Sequence, residues 1–376
     1  MSNVIPLEAR RAALLALPNY FVSGGGENLA IASGDLVSPE RSSNPTGAGV
    51  TMFMVVRVEA LVVNTHASQL ATRSAFGGAN LLKRMEYTDP DGYLRHTGIS
   101  GRALEMNAQH RQADVVGGSS VIASNYGMDL DAGGSDVAPL SIAANTSATI
   151  SHTFIIPFAV GQNDCRGAVA NVLSTGQQTL KLTFPTKAEA FVPTGADAFN
   201  ALYVGGTMSF ASLKYEVISV TKNRNLPSNP SQMLPVEDFA DVYMLQEGAR
   251  TNLVAGVDTK IPMDANRRML SAFYFYNNGG TLNRETDVTS LSVLAGGSQD
   301  LLRCSPKICN MFAKNVLTNG LPPATYYQDF RRDNMDVANK GSIDLVFMPA
   351  TVNSGATLYT LVDYIQYGAA RVVSAN

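Results

Sequence analysis

The densest group of chemically capable side chains is Asp89-Pro90-Asp91-Gly92. Asp-x-Asp-Gly opens a calcium loop, in which alternating carboxylates face one cation. The third acidic ligand and the closing glutamate do not follow, so the four residues read as a turn: Pro presets φ and Gly tolerates a positive φ. Cys165, Cys304 and Cys309 form an odd, sparse set. Cys304 and Cys309 have no second cysteine pair and no nearby His, which argues against zinc. No disulfide framework is described, so a reduced compartment is the simpler reading, with pairing of these two cysteines left open. His66, His96, His110 and His152 are scattered, without the His-x-His and following carboxylate of a metal-dependent barrel enzyme. His152 lies on an apolar strand face and reads as a core histidine. Asp129 with Asp131, and Glu237 with Asp238, offer the paired carboxylates that glycoside hydrolysis needs. The chain has no tryptophan to serve as a sugar platform, and these pairs read as solvated turns. Gly24-Gly25-Gly26 lacks the Lys-Ser/Thr of a phosphate loop, and neither Gly-x-Ser-x-Gly nor His-Glu-x-x-His occurs. The expectation is a non-enzymatic chain with no catalytic residues, no cofactor and no metal.

Composition points the same way. Charged residues make up 16% of 376 positions, below the roughly 25% usual for soluble proteins, while hydrophobic residues at 45% are ordinary. A chain with so few charges is expected to turn much of its outside toward other subunits. A net charge of −3 argues against direct nucleic-acid binding, which needs clustered Lys and Arg. Arg10-Arg11 precedes an apolar run, Ala12 to Leu17, too short for a signal peptide, and no run approaches the roughly 20 residues of a membrane span.

The elements that would position these residues are strands. Thr51 to Val63 alternates Met52, Met54, Val56, Val58, Ala60 and Val62 against a face carrying Arg57 and Glu59, and would span roughly 40 Å. Thr149 to Ile156 and Leu180 to Phe184 alternate too. From Thr207 to Val220 the phase slips near Ala211 and Ser212, as at a β-bulge. Thr251 to Met263, Arg268 to Tyr276, Ala324 to Phe330, Ser342 to Met348 and Thr357 to Ile365 follow as strands, with Arg268 to Tyr276 apolar on both faces. Small-residue loops, Gly117 to Pro139 and Pro185 to Gly206, separate them. Many strands punctuated by Gly, Pro and Ser predict an all-β chain of jelly-roll type.

A repeat is also predicted. Ala79 to Thr88 reads as a strand before the Asp89 turn, with helical spacing from Gly98 to His110. Arg268 to Tyr276 reads as a strand before Asn277-Asn278-Gly279-Gly280, with a short apolar-spaced segment from Thr286 to Leu294. Gly92 and Gly280 lie 188 positions apart, half the chain. Asn223 to Met233, with its prolines, is the boundary, and a helical turn is expected between Pro235 and Leu245. The division is an N-terminal arm, 1–25, a first barrel, 26–232, and a second, 233–376, ending in a weakly specified tail from Gly368 to Asn376.

Pro6 to Leu17 reads as a short helix, started by Pro, favoured by Glu8 and stopped by Pro18. Leu7, Leu14, Leu15 and Leu17 share one face with Arg10 and Arg11; Ala9, Ala12, Ala13 and Ala16 occupy the other. Two readings stay open: a helix lying on a membrane surface, with Leu7, Arg10, Arg11 and Leu14 near lipid, or an arm packed on its own barrel or on a neighbour.

Several stretches resemble the major capsid protein of tectivirus-type, membrane-containing bacteriophages, a tandem double jelly roll. They are Phe76-Gly77-Gly78-Ala79-Asn80-Leu81 leading to Arg84, Tyr87 and Asp89-Pro90-Asp91, then Arg95-His96-Thr97. Leu234-Pro235 follows, before Asp238, Tyr243 and Leu245, then Asn278-Gly279-Gly280 with Asn283 and Thr286-Asp287, and finally Tyr326-Tyr327, Phe347 and Thr351-Val352-Asn353. The resemblance implies a homotrimer of pseudo-hexagonal outline tiling an icosahedral shell around an internal membrane that encloses double-stranded DNA. It also implies neighbouring capsomers and minor or vertex proteins as partners, an arm on the membrane side, and assembly in the host cytoplasm. A two-barrel glycan-binding or glycan-processing protein is the alternative, and a vertex or spike protein of the same virion a third.

Overall fold

The structure is a computed structural model that describes residues 6–45, 49–108, 138–161, 164–171, 176–193, 195–222, 239–263, 267–282, 286–297, 299–316, 324–330 and 342–366. His110, both candidate carboxylate pairs, Leu234-Pro235, Asn283, the 223–233 boundary, the C-terminal tail and nearly all of the Gly117 loop lie outside these residues.

Among the described residues, sixteen of the strands build two barrels. The first uses β1 (Asn19–Leu29), β2 (Glu40–Ser43), β3 (Val50–Asn64), β4 (Arg84–Thr88), β5 (Leu94–Ile99), β6 (Thr146–Pro157), β7 (Thr179–Thr183) and β8 (Met208–Lys222). The second uses β9 (Val242–Arg250), β10 (Thr259–Met263), β11 (Arg267–Asn277), β12 (Val288–Ala295), β13 (Gln299–Cys304), β14 (Thr325–Asp329), β15 (Ile343–Pro349) and β16 (Thr357–Gln366). In each barrel one antiparallel sheet runs first-eighth-third-sixth, β1-β8-β3-β6 and β9-β16-β11-β14. The other runs second-seventh-fourth-fifth, β2-β7-β4-β5 and β10-β15-β12-β13. This is the eight-stranded jelly roll, present twice.

The duplication is real, but the half-length offset is not its register. Gly92 sits in the turn between the fourth and fifth strands, whereas Gly280 follows the third strand of its barrel. The counterpart of Gly92 is Gly296-Gly297, between β12 and β13. Turn residues mark any tight reversal, so glycine alone does not say which reversal it is. Thr286 to Leu294 accordingly belongs to strand β12 rather than matching the helix after β5. Other boundaries move as well. Gly77–Leu81 is a 3-10 turn, because the Asn80 side-chain amide is held inward by the carbonyls of Phe199 (2.9 Å) and Ala201 (2.7 Å), so the strand starts only at Arg84. Pairing of β1 with β8 from Asn19 onward puts the last seven residues of segment 1–25 in the first barrel, with a register shift between Ser23 and Gly25. Val242–Arg250 is a strand, and Thr251 to Met263 is strand only from Thr259.

The alternation in β3 holds: Met54, Val56, Val58, Ala60 and Val62 are fully buried, each of the larger side chains contributing about 1.5–3 kcal/mol. On the outer face Lys214 of β8 pairs with Glu59 at 2.8 Å. The phase slip near Ala211 is a bulge, a register shift between Phe210 and Ser212. β11 is buried on both sides because it is a wall between cores. Leu270 and Phe273 pack with the first barrel's interior, while Met269, Ala272, Tyr274 and Tyr276 pack in the second's.

Three helices matter below: α1 (Leu7–Ala16), α2 (Gly101–Met106), which follows β5, and α3 (Pro306–Val316), which follows β13. Cys304 at the end of β13 is bonded to Cys309 in α3, so these two are not free thiols; the strand end and the first turn of the helix bring them together. Cys165 is buried and outside this disulfide.

Candidate functional site

The most elaborate arrangement of polar groups lies where the barrels meet. Here β5, an edge strand, runs beside β9, the first strand of the second barrel. It is prepared locally by the Asp89 turn. Asp89 Oδ1 accepts the N–H groups of Asp91 (3.0 Å) and Tyr93 (2.9 Å), and Oδ2 takes Arg95 Nε at 2.9 Å. Arg95 also donates to the carbonyl of Gly167. Both charges are almost fully buried, and their donors and acceptors are largely spent on each other and on backbone. The residues that suggested calcium are thus a turn closed by an ion pair.

The next residue, His96, bridges the barrels. Its Nε2 lies 2.7 Å from the Pro157 carbonyl, and its Nδ1 lies 3.2 Å from the backbone nitrogen of Leu245. A carbonyl only accepts and an amide only donates, so Nε2 carries the hydrogen and the ring is neutral. Burial holds its pKa down, to about 4.

At the start of α2, Ser100 caps the helix through Ala103 N–H (3.2 Å) and reaches across to Glu247 of β9. The Glu247 carboxylate accepts the Ser100 backbone N–H (2.7 Å), its hydroxyl (2.9 Å) and Arg102 Nη2 (3.4 Å). The Arg102 guanidinium carbon is 5.4 Å from the Phe76 ring centre, 5.1 Å from Phe199, 5.7 Å from Phe275 and 4.5 Å from Tyr359. Two rings come from each barrel around one cation. In the cleft beside Arg102, Lys83 is paired with Glu189. Among the described residues no three His, Cys, Asp or Glu side chains converge on a metal position.

His152 meets Glu105 of α2 at 2.7 Å, as befits a paired core histidine, and His66 caps a loop through the N–H groups of Ser68 and Gln69. The face of α1 that carries leucine and arginine is turned toward the first barrel. Leu14 is buried in an apolar cluster with Val50, Met52, Phe53, Val55, Val220 and Phe239; Leu7, Arg10 and Arg11 are half-buried, and Arg11 pairs with Glu8 at 2.7 Å. Lys222 Nζ donates to the carbonyls of Leu15 (3.2 Å) and Leu17 (2.9 Å), capping the helix at its negative end.

Models of the P3 major capsid protein match in two parts, the N-terminal domain over residues 34–225 and the C-terminal domain over 240–376. The chain belongs to the P3 major capsid protein family. Major capsid protein P3 of Enterobacteria phage PRD1 is 30% identical over 327 residues, covering 85% of this chain and 81% of that protein. The STIV major capsid protein superposes with a TM-score of 0.64 at 11% identity, over 96% of this chain and all of that one. The Faustovirus major capsid protein gives 0.53 at 9%, over 93% and 90%. At such identities the structural likeness shows the fold, two tandem jelly rolls; the family supplies the role. P3 proteins are structural and non-enzymatic, so this is a capsid subunit of the virion that assembles with other subunits into a shell. The seam is then a structural site of the P3 subunit. Arg102, Glu247 and Lys222 carried no signal in the sequence, since Arg102 and Glu247 meet across 145 residues and Lys222 meets the end of α1 across more than two hundred.

Proposed function

We propose that this P3-family chain forms a homotrimer of pseudo-hexagonal outline. Its trimers tile an icosahedral shell around an internal membrane enclosing double-stranded DNA, alongside neighbouring capsomers and minor or vertex proteins, with assembly in the host cytoplasm. The observation that carries this is the pair of topologically identical barrels fixed side by side by a buried seam. Three such chains offer six similar walls, which is what a six-neighbour lattice position requires. The net charge of −3 fits a subunit that makes no sequence-specific contact with DNA. In this reading α1 lies on the membrane side: Arg10 and Arg11, half-buried at its edge, are near lipid headgroups, while Leu14 holds the helix to the barrel. The glycan alternative gains nothing from the surface trough of about 760 Å³ along β1, β3 and β8, because Tyr215 is its one lining aromatic and is buried.

Light scattering after size-exclusion chromatography tests the assembly. A long-lived species of three times 40.0 kDa is expected, and a monomer at all concentrations would defeat the reading. Removing residues 1–17 tests the arm, which would lose its membrane role if shells still enclosed lipid normally.

A further inference from the structure

The seam inside the chain joins the fifth strand of one barrel, with the helix that follows it, to the first strand of the next barrel. Each chain therefore retains one unused copy of each partner: β13 with α3 on the second barrel, and β1 on the first. Both are edge elements. We infer that the exposed face of α3, formed by Ile308, Met311 and Phe312, docks on the sheet face of β1 that carries Phe21 in a second copy of this chain. The junction that β5 and α2 make with β9 is thereby repeated between molecules. This rests on the proposed assembly and names its contact.

Matching bulges set the correspondence between the two first strands. In the first barrel β3 skips Met52, since Thr51 faces Thr221 and Phe53 faces Val220. In the second, β11 skips Leu270, since Met269 faces Tyr364 and Ser271 faces Asp363. Superposing the bulges aligns Val220 with Asp363. Their neighbours across the sheet, Phe21 and Leu245, then align as well. Leu245 is 2% exposed because the first barrel covers it, whereas Phe21 is 56% exposed and Tyr20 beside it 38%. α1 covers a different part of this sheet face, over Val50, Phe53 and Val220, and leaves Phe21 open.

The complementary surface has the same character. Ile308, Met311 and Phe312 fall at i, i+3 and i+4 and are 43%, 54% and 57% exposed. Cys309 and Ala313 face inward, and the bond from Cys309 to Cys304 ties the helix to β13, so the apolar face is presented on a fixed element. Clustered exposed apolar side chains mark an interaction surface rather than ordinary exterior. Because different surfaces meet, the contact is heterologous, and a closing rotation makes a ring.

The test uses the full chain with charges placed at the two aromatics. Both are more than half exposed, so Phe21→Glu and Phe312→Lys should fold, which unchanged thermal unfolding of the monomer would verify. Each single variant should weaken self-association at least tenfold by light scattering over a dilution series. The double variant, carrying opposite charges on the two faces, should recover most of it. If wild-type protein assembles and both single variants retain its mass at every dilution, this surface is wrong while the assembly stands. If wild-type protein is monomeric throughout, the assembly reading fails and takes this contact with it.

Discussion

The amide of Leu245, in the second barrel, donates to Nδ1 of His96, in the first, across 3.2 Å. One imidazole thus joins two barrels, and it does so only while neutral. The folded pKa, about 4, lies below the ordinary value of 6.5, so the unfolded chain takes up the proton first as pH falls. The histidine's contribution is complete above about pH 6.5 and is lost progressively down to about pH 4, amounting to roughly 3 kcal/mol over that window. Denaturation midpoints of wild type and His96→Gln across this range would show it. If the two pH profiles run parallel, the histidine does not carry the effect.

Arg102 sits among four rings and pairs with Glu247, so Arg102→Ala should cost about 3 kcal/mol, partly by leaving the half-buried Glu247 without its cation. Arg102→Lys should recover less than half, because an ammonium cannot stack on rings and fork to two acceptors at once. Urea unfolding followed by tyrosine fluorescence would report both values, and full recovery by lysine would refute the stacking role.

Leu14 and Lys222 hold α1 by separate means. Leu14→Ala should loosen its docking by about 3 kcal/mol, and Lys222→Met by about 1 kcal/mol. Trypsin cleavage after Arg10 or Arg11 measures this opening: a hundredfold acceleration is expected for the first variant and several-fold for the second. Cleavage at the wild-type rate in both would mean the helix is not held there.

Two glycines separate space from backbone angle. A Cβ on Gly101 would come 2.3 Å from the Ala79 carbonyl oxygen and 2.8 Å from that of Leu82, both backbone atoms, so Gly101→Ala should cost at least about 3 kcal/mol. A Cβ on Gly92 meets nothing, but φ is +80°, so Gly92→Ala should cost only about 1 kcal/mol. Equal melting temperatures for these two variants would contradict the packing described for α2.

What the sequence made legible was whatever repeats along one strand. The alternation of β3, the slip near Ala211 and the two-sided burial of Arg268 to Tyr276 all appear in the structure, because burial imposes period 2 on neighbouring residues. The seam was not legible. His96 finds Leu245 and Arg102 finds Glu247 only after two barrels have formed, and nothing local distinguishes them from solvated polar residues. The glycine offset misled for the same reason: a reversal has a local signature, while its place in the topology does not.

The two barrels are also tethered, and a tether changes what a junction must supply. Within one chain the partners face each other at an effective concentration set by the connection, on the order of millimolar for a short flexible link. A junction formed under those conditions has less association entropy to overcome, and can devote its interior to directional groups that select one alignment, as His96 and Arg102 do. A contact between separate chains starts without that advantage. The contrast between a polar, register-fixing seam and the bare aromatic surfaces at Phe21 and Phe312 is what this difference in starting conditions would select.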